Sequence, residues 1–227
     1  MRENPAFYVT PTQSFSGLMQ SIKHLDARIS DSSGFGGRRY YQKSVSEGQR
    51  KYPNQLHQQH FWNFIRSATH LQSLVISCTH TLNFDLLSID NLTALQELRL
   101  SGVQMSQDHF LKLAIQNSAT IRAAELSCVQ LDSGTWKSIL LRLCSLPGLD
   151  HFYMDSCGYT TTGNSSMYAK LLLPPPDDPE DIETFNFEDR YSLGHLQRHV
   201  NSVRNKAGLP LYNDYDYKAA KLPPLDE

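Results

Sequence analysis

The chain has 227 residues, which suffices for one large domain or two small ones. Its 21 Lys and Arg residues nearly balance 23 Asp and Glu residues, for a formal charge of −2. This balance argues against a dedicated nucleic-acid-binding protein, which normally has a basic excess. No window approaches about 18 uninterrupted apolar residues, and no secretory signal is visible at the start. We therefore expect an intracellular protein, cytoplasmic or nuclear, without a membrane span.

A short pattern of spaced apolar residues, Leu-x-x-Leu-x-Leu, recurs along the chain. A weak copy comes first, at Ile22, Leu25 and Ala27. Five stronger copies follow, and they begin at Leu71, Leu95, Ile121, Leu149 and Ile182. The steps between these five are 24, 26, 28 and 33 residues. Leucine-rich repeats have periods of roughly 20–29 residues, so the first four copies fit and the fifth requires an insertion.

Segments with helical periodicity alternate with these strand copies. The first follows Leu56 and has an apolar stripe made of His60, Phe61, Phe64 and Ile65. The second has an apolar stripe of Phe110, Leu113 and Ala114, and Ser106 is its predicted N-cap. Strand, turn, helix and turn therefore repeat along the chain.

Two further helices are predicted in the C-terminal half. The apolar spacing of Trp136, Ile139, Leu140 and Leu143 is the clearest helical stripe of the sequence. Asp132 or Ser133 would cap this helix, and Pro147-Gly148 would stop it. The last candidate helix runs from Leu193 to Val203 and ends at Gly208.

The repeat predicts an α/β fold, a leucine-rich-repeat solenoid of about five to six irregular units. One unit cannot bury the apolar faces of its own strand and helix, whereas stacked units form a continuous core. A curved parallel sheet would line the concave face, and the helices would lie on the convex face. An ordinary α/β sheet with similar strands is the alternative, and five copies in one register disfavour it.

The pattern divides the chain into three parts. Residues 1–55 form a predicted irregular N-terminal cap, which holds the weak first copy and a basic Gly/Ser-rich loop at 30–54. Residues 56–208 form the predicted solenoid, with a Pro-rich acidic insertion at 174–181. Residues 209–227 have no repeat and form a C-terminal tail.

Two long segments carry a resemblance to a known family. They read LSCVQLDSGTWKSILLRLCSLPGLDHFYMDSCGY and IETFNFEDRYSLGHLQRHVNSVRNKAGLP. The first, with its Ser-Gly-x-Trp helix start and closing Gly-Tyr, resembles the repeat region of fungal F-box proteins. The second is similar to the ends of such proteins. The resemblance implies the substrate-recognition subunit of a cullin–RING (SCF-type) ubiquitin ligase, although no Leu-Pro-x-Glu opening of an F-box is recognisable. A piece of a longer F-box protein is the further alternative.

The residues that alternate with the apolar anchors should face solvent on the predicted concave face. The candidate partner-binding residues read off these positions are Glu97, Arg99, Glu125, His151, Tyr153, Asp155, Asn186 and Glu188. Tyr153 would be an anchor, Arg99 and His151 directional contacts, and the carboxylates a steering field. Because carboxylates outnumber bases in these rows, a basic segment of a protein partner would suit the surface.

The leading expectation for function is therefore a non-catalytic protein-interaction module. An RNA-binding protein is an alternative from another class, because Gly34 to Tyr41 combine glycine, arginine and aromatic residues. A flexible loop is the simpler interpretation of that segment.

No enzyme, cofactor or metal site is predicted. The four cysteines include no Cys-x-x-Cys pair, so a structural zinc site is not indicated. His195 and His199 share a helix face without a third ligand or a catalytic Glu. Cys157 occupies the ninth repeat position, which predicts a structural role in a turn, and Cys144 is predicted to be a core residue.

Overall fold

The computed structural model describes residues 13–29, 55–160, 182 and 186–212. The predicted loop at 30–54, the insertion at 174–181 and the tail beyond Tyr212 lie outside these residues. Five α-helices are described, α1 (Gln13–Ser21), α2 (Gln55–Arg66), α3 (Gln107–Gln116), α4 (Trp136–Leu143) and α5 (Phe187–Lys206), together with a 3-10 helix (Phe84–Leu86). The described strands are β1 (His24–Ile29), β2 (Ser73–Asn83), β3 (Glu97–Ser106), β4 (Ala123–Ser127), β5 (Gln130–Ser133), β6 (His151–Asp155) and β7 (Gly158–Tyr159).

The main sheet is parallel throughout its order β1-β2-β3-β4-β6. Its register brings the middle anchors of five copies into one row, Leu25, Leu74, Leu98, Ala124 and Phe152. The α/β class and the parallel sheet are therefore confirmed. The weak first copy forms a strand as well, and its Leu25 is in register with Leu74 of the next strand.

A second run of short parallel strands branches from β3, and the sequence reasoning did not predict it. The C-terminal half of β3 pairs with β5, and β5 pairs with β7. Between the two runs the chain turns at Gly102, Cys128 and Ser156, which have φ of 70°, 52° and 52°. The sequence signal for this second run is a second pair of apolar residues after a strand copy, such as Val129 and Leu131, which are both buried.

The core lies between the sheet and the helices. Strand anchors such as Leu74 and Leu126 share one buried cluster with Trp62, Phe110 and Trp136 of the helices. Burial of each large apolar side chain stabilises the fold by about 1.5–3 kcal/mol. In the described ranges, no helix combines the length and the apolar character needed to cross a bilayer.

Helix ends test the predicted caps. Ser106 does cap α3, since its hydroxyl accepts from the backbone N–H of His109 at 3.2 Å. The prediction that Asp132 or Ser133 caps α4 was wrong, because both residues belong to β5. Thr135 caps α4 instead, and its hydroxyl accepts from Ser138 N at 3.3 Å. This helix ends at Leu143, before the predicted Pro-Gly stop.

Within the described residues, the fifth strong copy contributes no strand to the main sheet. Its first residue, Ile182, makes an isolated parallel bridge with Cys157, so it extends the second run of short strands. Its last anchor, Phe187, is the first residue of α5 and is 58% exposed. Helix α5 therefore starts six residues before the predicted Leu193, and the predicted strand positions of Asn186 and Glu188 were wrong.

Candidate binding surface

Three rows of side chains cover the face of the main sheet opposite the apolar anchors, which we call the outer sheet face. The first row is His24, Ser73, Glu97, Ala123 and His151; the second is Asp26, Val75, Arg99, Glu125 and Tyr153; the third is Arg28, Ser77, Ser101, Ser127 and Asp155. Six of the eight predicted site residues lie in these rows, on β3, β4 and β6. Their alternation with buried anchors places them there.

The other two predicted site residues lie elsewhere, which corrects the sequence prediction. Asn186 is the N-cap of α5, where its side-chain oxygen accepts from Glu188 N at 3.0 Å. Glu188 lies in the first helical turn and pairs with Lys137 Nζ at 3.0 Å. Asparagine followed by two acidic residues is a typical helix start, so this signal was present in the sequence.

A chain of polar contacts begins on β2 and crosses the outer sheet face. The hydroxyl of Ser73 donates to Glu97 Oε2 at 2.6 Å. Glu97 Oε1 accepts from Arg99 Nε, also at 2.6 Å. The same guanidinium group reaches the next strand, where Nη1 lies 3.3 Å from Glu125 Oε1. Arg99 thus bridges two carboxylates whose side chains are only 28% and 25% exposed.

The chain of contacts continues to the last strand of the sheet. His151 Nε2 donates to Glu125 Oε1 at 2.8 Å. In the neutral imidazole, Nδ1 is then the acceptor for the hydroxyl of Tyr212. Side chains from four strands and from the segment after α5 are therefore linked in one network, Ser73–Glu97–Arg99–Glu125–His151–Tyr212.

Tyr212 is a site residue that the sequence reasoning missed. Asn201 of α5 holds its backbone with two hydrogen bonds of 2.9 Å, one from its amide to the Tyr212 carbonyl and one from Tyr212 N to its oxygen. The guanidinium carbon of Arg204 lies 3.9 Å from the centre of the Tyr212 ring. The start of the predicted tail, up to Tyr212, therefore lies against α5.

The network changes the proton affinity of one carboxyl group. The hydrogen bond from Ser73, and next the contacts with Arg99, lower the pKa of Glu97 below its ordinary value of 4.5, against an opposing effect of burial. The side chain thus remains a carboxylate in the folded protein at pH values where it would begin to protonate in the unfolded chain.

We expect Glu97→Gln to flatten the acid dependence of stability. With a pKa lowered by folding, ionised Glu97 stabilises the folded state above its unfolded pKa, and this contribution is lost as the pH falls through the folded pKa. Thermal unfolding of wild type and variant between about pH 7 and pH 3 should show a Tm difference that shrinks with acid. A constant Tm difference over this range would contradict the linkage.

On the described strands, the outer sheet face carries more acidic than basic side chains. Four carboxylates, of Asp26, Glu97, Glu125 and Asp155, face two guanidinium groups, of Arg28 and Arg99. Arg28 pairs with Asp26 at 3.2 Å. The acidic character predicted from the sequence therefore persists without Glu188, although internal ion pairs neutralise much of it.

His195 and His199, which were considered as metal ligands, and Cys157, which was predicted to have a structural role, all make structural contacts. His199 Nε2 donates to the carbonyl of Leu146 at 2.9 Å, and the ring of His195 packs edge-on against Tyr191. Cys157 is buried, donates to the Leu126 carbonyl at 3.3 Å, and has a thiol pKa raised by burial. Within the described residues, no three His, Cys, Asp or Glu side chains are grouped to hold a metal ion.

Comparisons with known proteins identify no relative of this chain. No protein-family model matches the chain. No curated protein and no solved structure shows significant similarity to it either. The functional argument therefore depends on the sheet register and on the contacts of the outer sheet face.

Proposed function

We propose that the chain is a leucine-rich-repeat solenoid and that the outer sheet face is its concave face. Three features support this architecture. The strand copies pair in parallel in one register. A residue with positive φ, namely Gly102, Cys128 or Ser156, lies at the turn between the two runs of strands in three repeats. A helix precedes β2, β4 and β6 in chain order.

The function that this geometry supports best is non-catalytic binding of a protein partner through the outer sheet face. The observation that carries the proposal is the network from Ser73 to Tyr212. It fixes Glu97, Arg99, Glu125 and His151, the long polar side chains of three strands, before any partner arrives, so less side-chain entropy is lost on binding. Tyr153 lies beside this network on β6 and supplies an aromatic anchor of the kind enriched in protein interfaces.

A comparison of partners recovered from the native cell tests this function. Affinity purification with mass spectrometry should recover proteins with the wild-type chain that are lost with Glu125→Lys, Tyr153→Ala. The matched control is Asp90→Asn, which removes an exposed charge of the Lys112 ion pair outside the three rows. The control should retain the partners. The same partners with all three chains would contradict binding through this face.

The same purification distinguishes two alternative functions from the proposed one. A ubiquitin-ligase substrate-recognition subunit, which the F-box resemblance implies, should recover a Skp-type adaptor or a cullin with both variants. An RNA-binding protein should recover RNA whose retention decreases with salt and requires Arg38 and Arg39. Both arginines lie outside the described residues, so this alternative stays a prediction from sequence.

A further inference from the structure

One carboxylate of the outer sheet face differs from the rest in its partners. Glu97 and Glu125 contact Arg99, and Asp26 contacts Arg28. For Asp155, the described parts of the chain provide no cation. From these described residues its carboxylate accepts one hydrogen bond, from Ser156 Oγ at 3.3 Å. The negative charge of Asp155 is therefore the least neutralised of the face.

The surroundings of Asp155 combine an aromatic ring with hydroxyl groups. Tyr153 precedes it by two positions on β6, so both side chains lie on the same face of the sheet. The register places Ser127 of β4 beside Asp155, and Ser101 of β3 beyond it. Neither serine hydroxyl makes a hydrogen bond among the described residues. An acceptor, an aromatic ring and two hydroxyls therefore line one end of the face.

The rest of the face disfavours an acidic ligand there. An incoming carboxylate would have to compete for Arg99 with two carboxylates that already bind it at 2.6 and 3.3 Å. An incoming cation meets the opposite situation at Asp155, where no positive charge has to be displaced. Four carboxylates against two guanidinium groups add a long-range field of the same sign.

We propose that a Lys or Arg side chain of an extended partner segment binds at Asp155. The cation pairs with the Asp155 carboxylate, and its aliphatic stem packs beside Tyr153. Peptide groups of the same segment bond to the hydroxyls of Ser127 and Ser101. This inference rests on the proposed function and locates the basic group of the partner. Glu97 and Glu125 hold Arg99 and His151 in place and do not bind the cation.

The test uses the full chain and two matched decapeptide libraries. One library has a single fixed Arg, and the other has citrulline at that position, which keeps the shape and removes the charge. Mass spectrometry of retained peptides should show enrichment from the Arg library on wild type. Asp155→Asn should reduce this retention about tenfold or more, since a hydrogen-bonded charge pair is lost. Asp90→Asn, the matched charge control, should behave like wild type.

Two results would overturn the inference. Equal retention of the Arg and citrulline libraries, with loss only in Tyr153→Ala, would mean that the face binds peptides but Asp155 does not select a cation. This result leaves the proposed function intact. Retention of neither library by wild type would exclude an extended basic segment as the ligand. The proposed function would still be tested independently by the affinity purification from cells.

Discussion

Gly102→Ala is expected to lower the free energy of unfolding by about 2–5 kcal/mol. Gly102 lies at the turn between the two runs of strands, with a φ of 70°. A Cβ at this position would overlap the backbone carbonyl oxygen of Cys78 in the preceding unit. Backbone cannot move aside as a flexible side chain can, so the clash adds to the cost of the left-handed conformation.

Gly208→Ala is the matched control for this prediction. Gly208 has nearly the same φ, 69°, but a Cβ there would meet nothing within 4 Å. It should therefore cost only the conformational penalty, roughly 1–2 kcal/mol. Urea unfolding of both variants separates the two contributions. Equal losses of stability would contradict the close packing of the Gly102 turn against Cys78.

Asp189→Asn is expected to cost about 2–4 kcal/mol. Asp189 is fully buried at the start of α5. Its Oδ1 accepts from Lys137 N at 2.7 Å, and its Oδ2 accepts from the Tyr159 hydroxyl at 2.6 Å. Tyr159 in turn accepts from Trp136 N at 3.0 Å. An amide in place of the carboxylate would turn an N–H₂ group toward one of two donors, so a buried hydrogen bond would be lost.

Glu188→Gln is the control for Asp189→Asn, because it makes the same chemical change one residue earlier. Glu188 is exposed and pairs with Lys137 through its side chain. Exposed ion pairs contribute little, so the change should stay within about 0.5–1 kcal/mol. Denaturant unfolding of both variants gives the comparison. An equal decrease in the free energy of unfolding for both variants would show that the buried hydrogen bonds of Asp189 do not add to stability.

The strand register was predictable from spacing, because parallel strands with one buried face require their apolar residues to align. A shift by one residue would turn Leu98 and Leu100 to the outer face and Arg99 into the core. This constraint is strong enough that the weak copy at Leu25 also pairs as predicted. The caps were less predictable, since several polar residues near α4 satisfy the same local rule. The pairing of β5 with β3 decided in favour of Thr135.

The last unit shows where a spacing rule fails. Ile182, Phe185 and Phe187 fit the strand pattern, but Asn186 with two following acids also fits a helix start. The helix start prevails in the structure, where α5 packs against α4 and its buried Asp189 accepts from the first turn of that helix. Apolar spacing over six residues cannot distinguish these outcomes.

The candidate site was predictable only in part, because local spacing specifies a strand face but not tertiary contacts. Strand alternation places Glu97, Arg99, Glu125, His151, Tyr153 and Asp155 on one face, and each of them is there. Tyr212 follows no repeat, and its position depends on Asn201 and Arg204 of α5, a tertiary contact without a local signal. The pairing of Arg99 with both neighbouring carboxylates depends on side-chain conformation, which spacing does not specify.

Photo-crosslinking in the native cell tests the central claim, that the outer sheet face binds the partner, most directly. A photoreactive amino acid at Ser101, in the middle strand of the sheet, should give a crosslinked protein adduct. The same residue at Ile115, which is 54% exposed on α3, should give none. The Ser101 adduct should disappear with Tyr153→Ala. An adduct from Ile115 without one from Ser101 would contradict the account and assign binding to the helices.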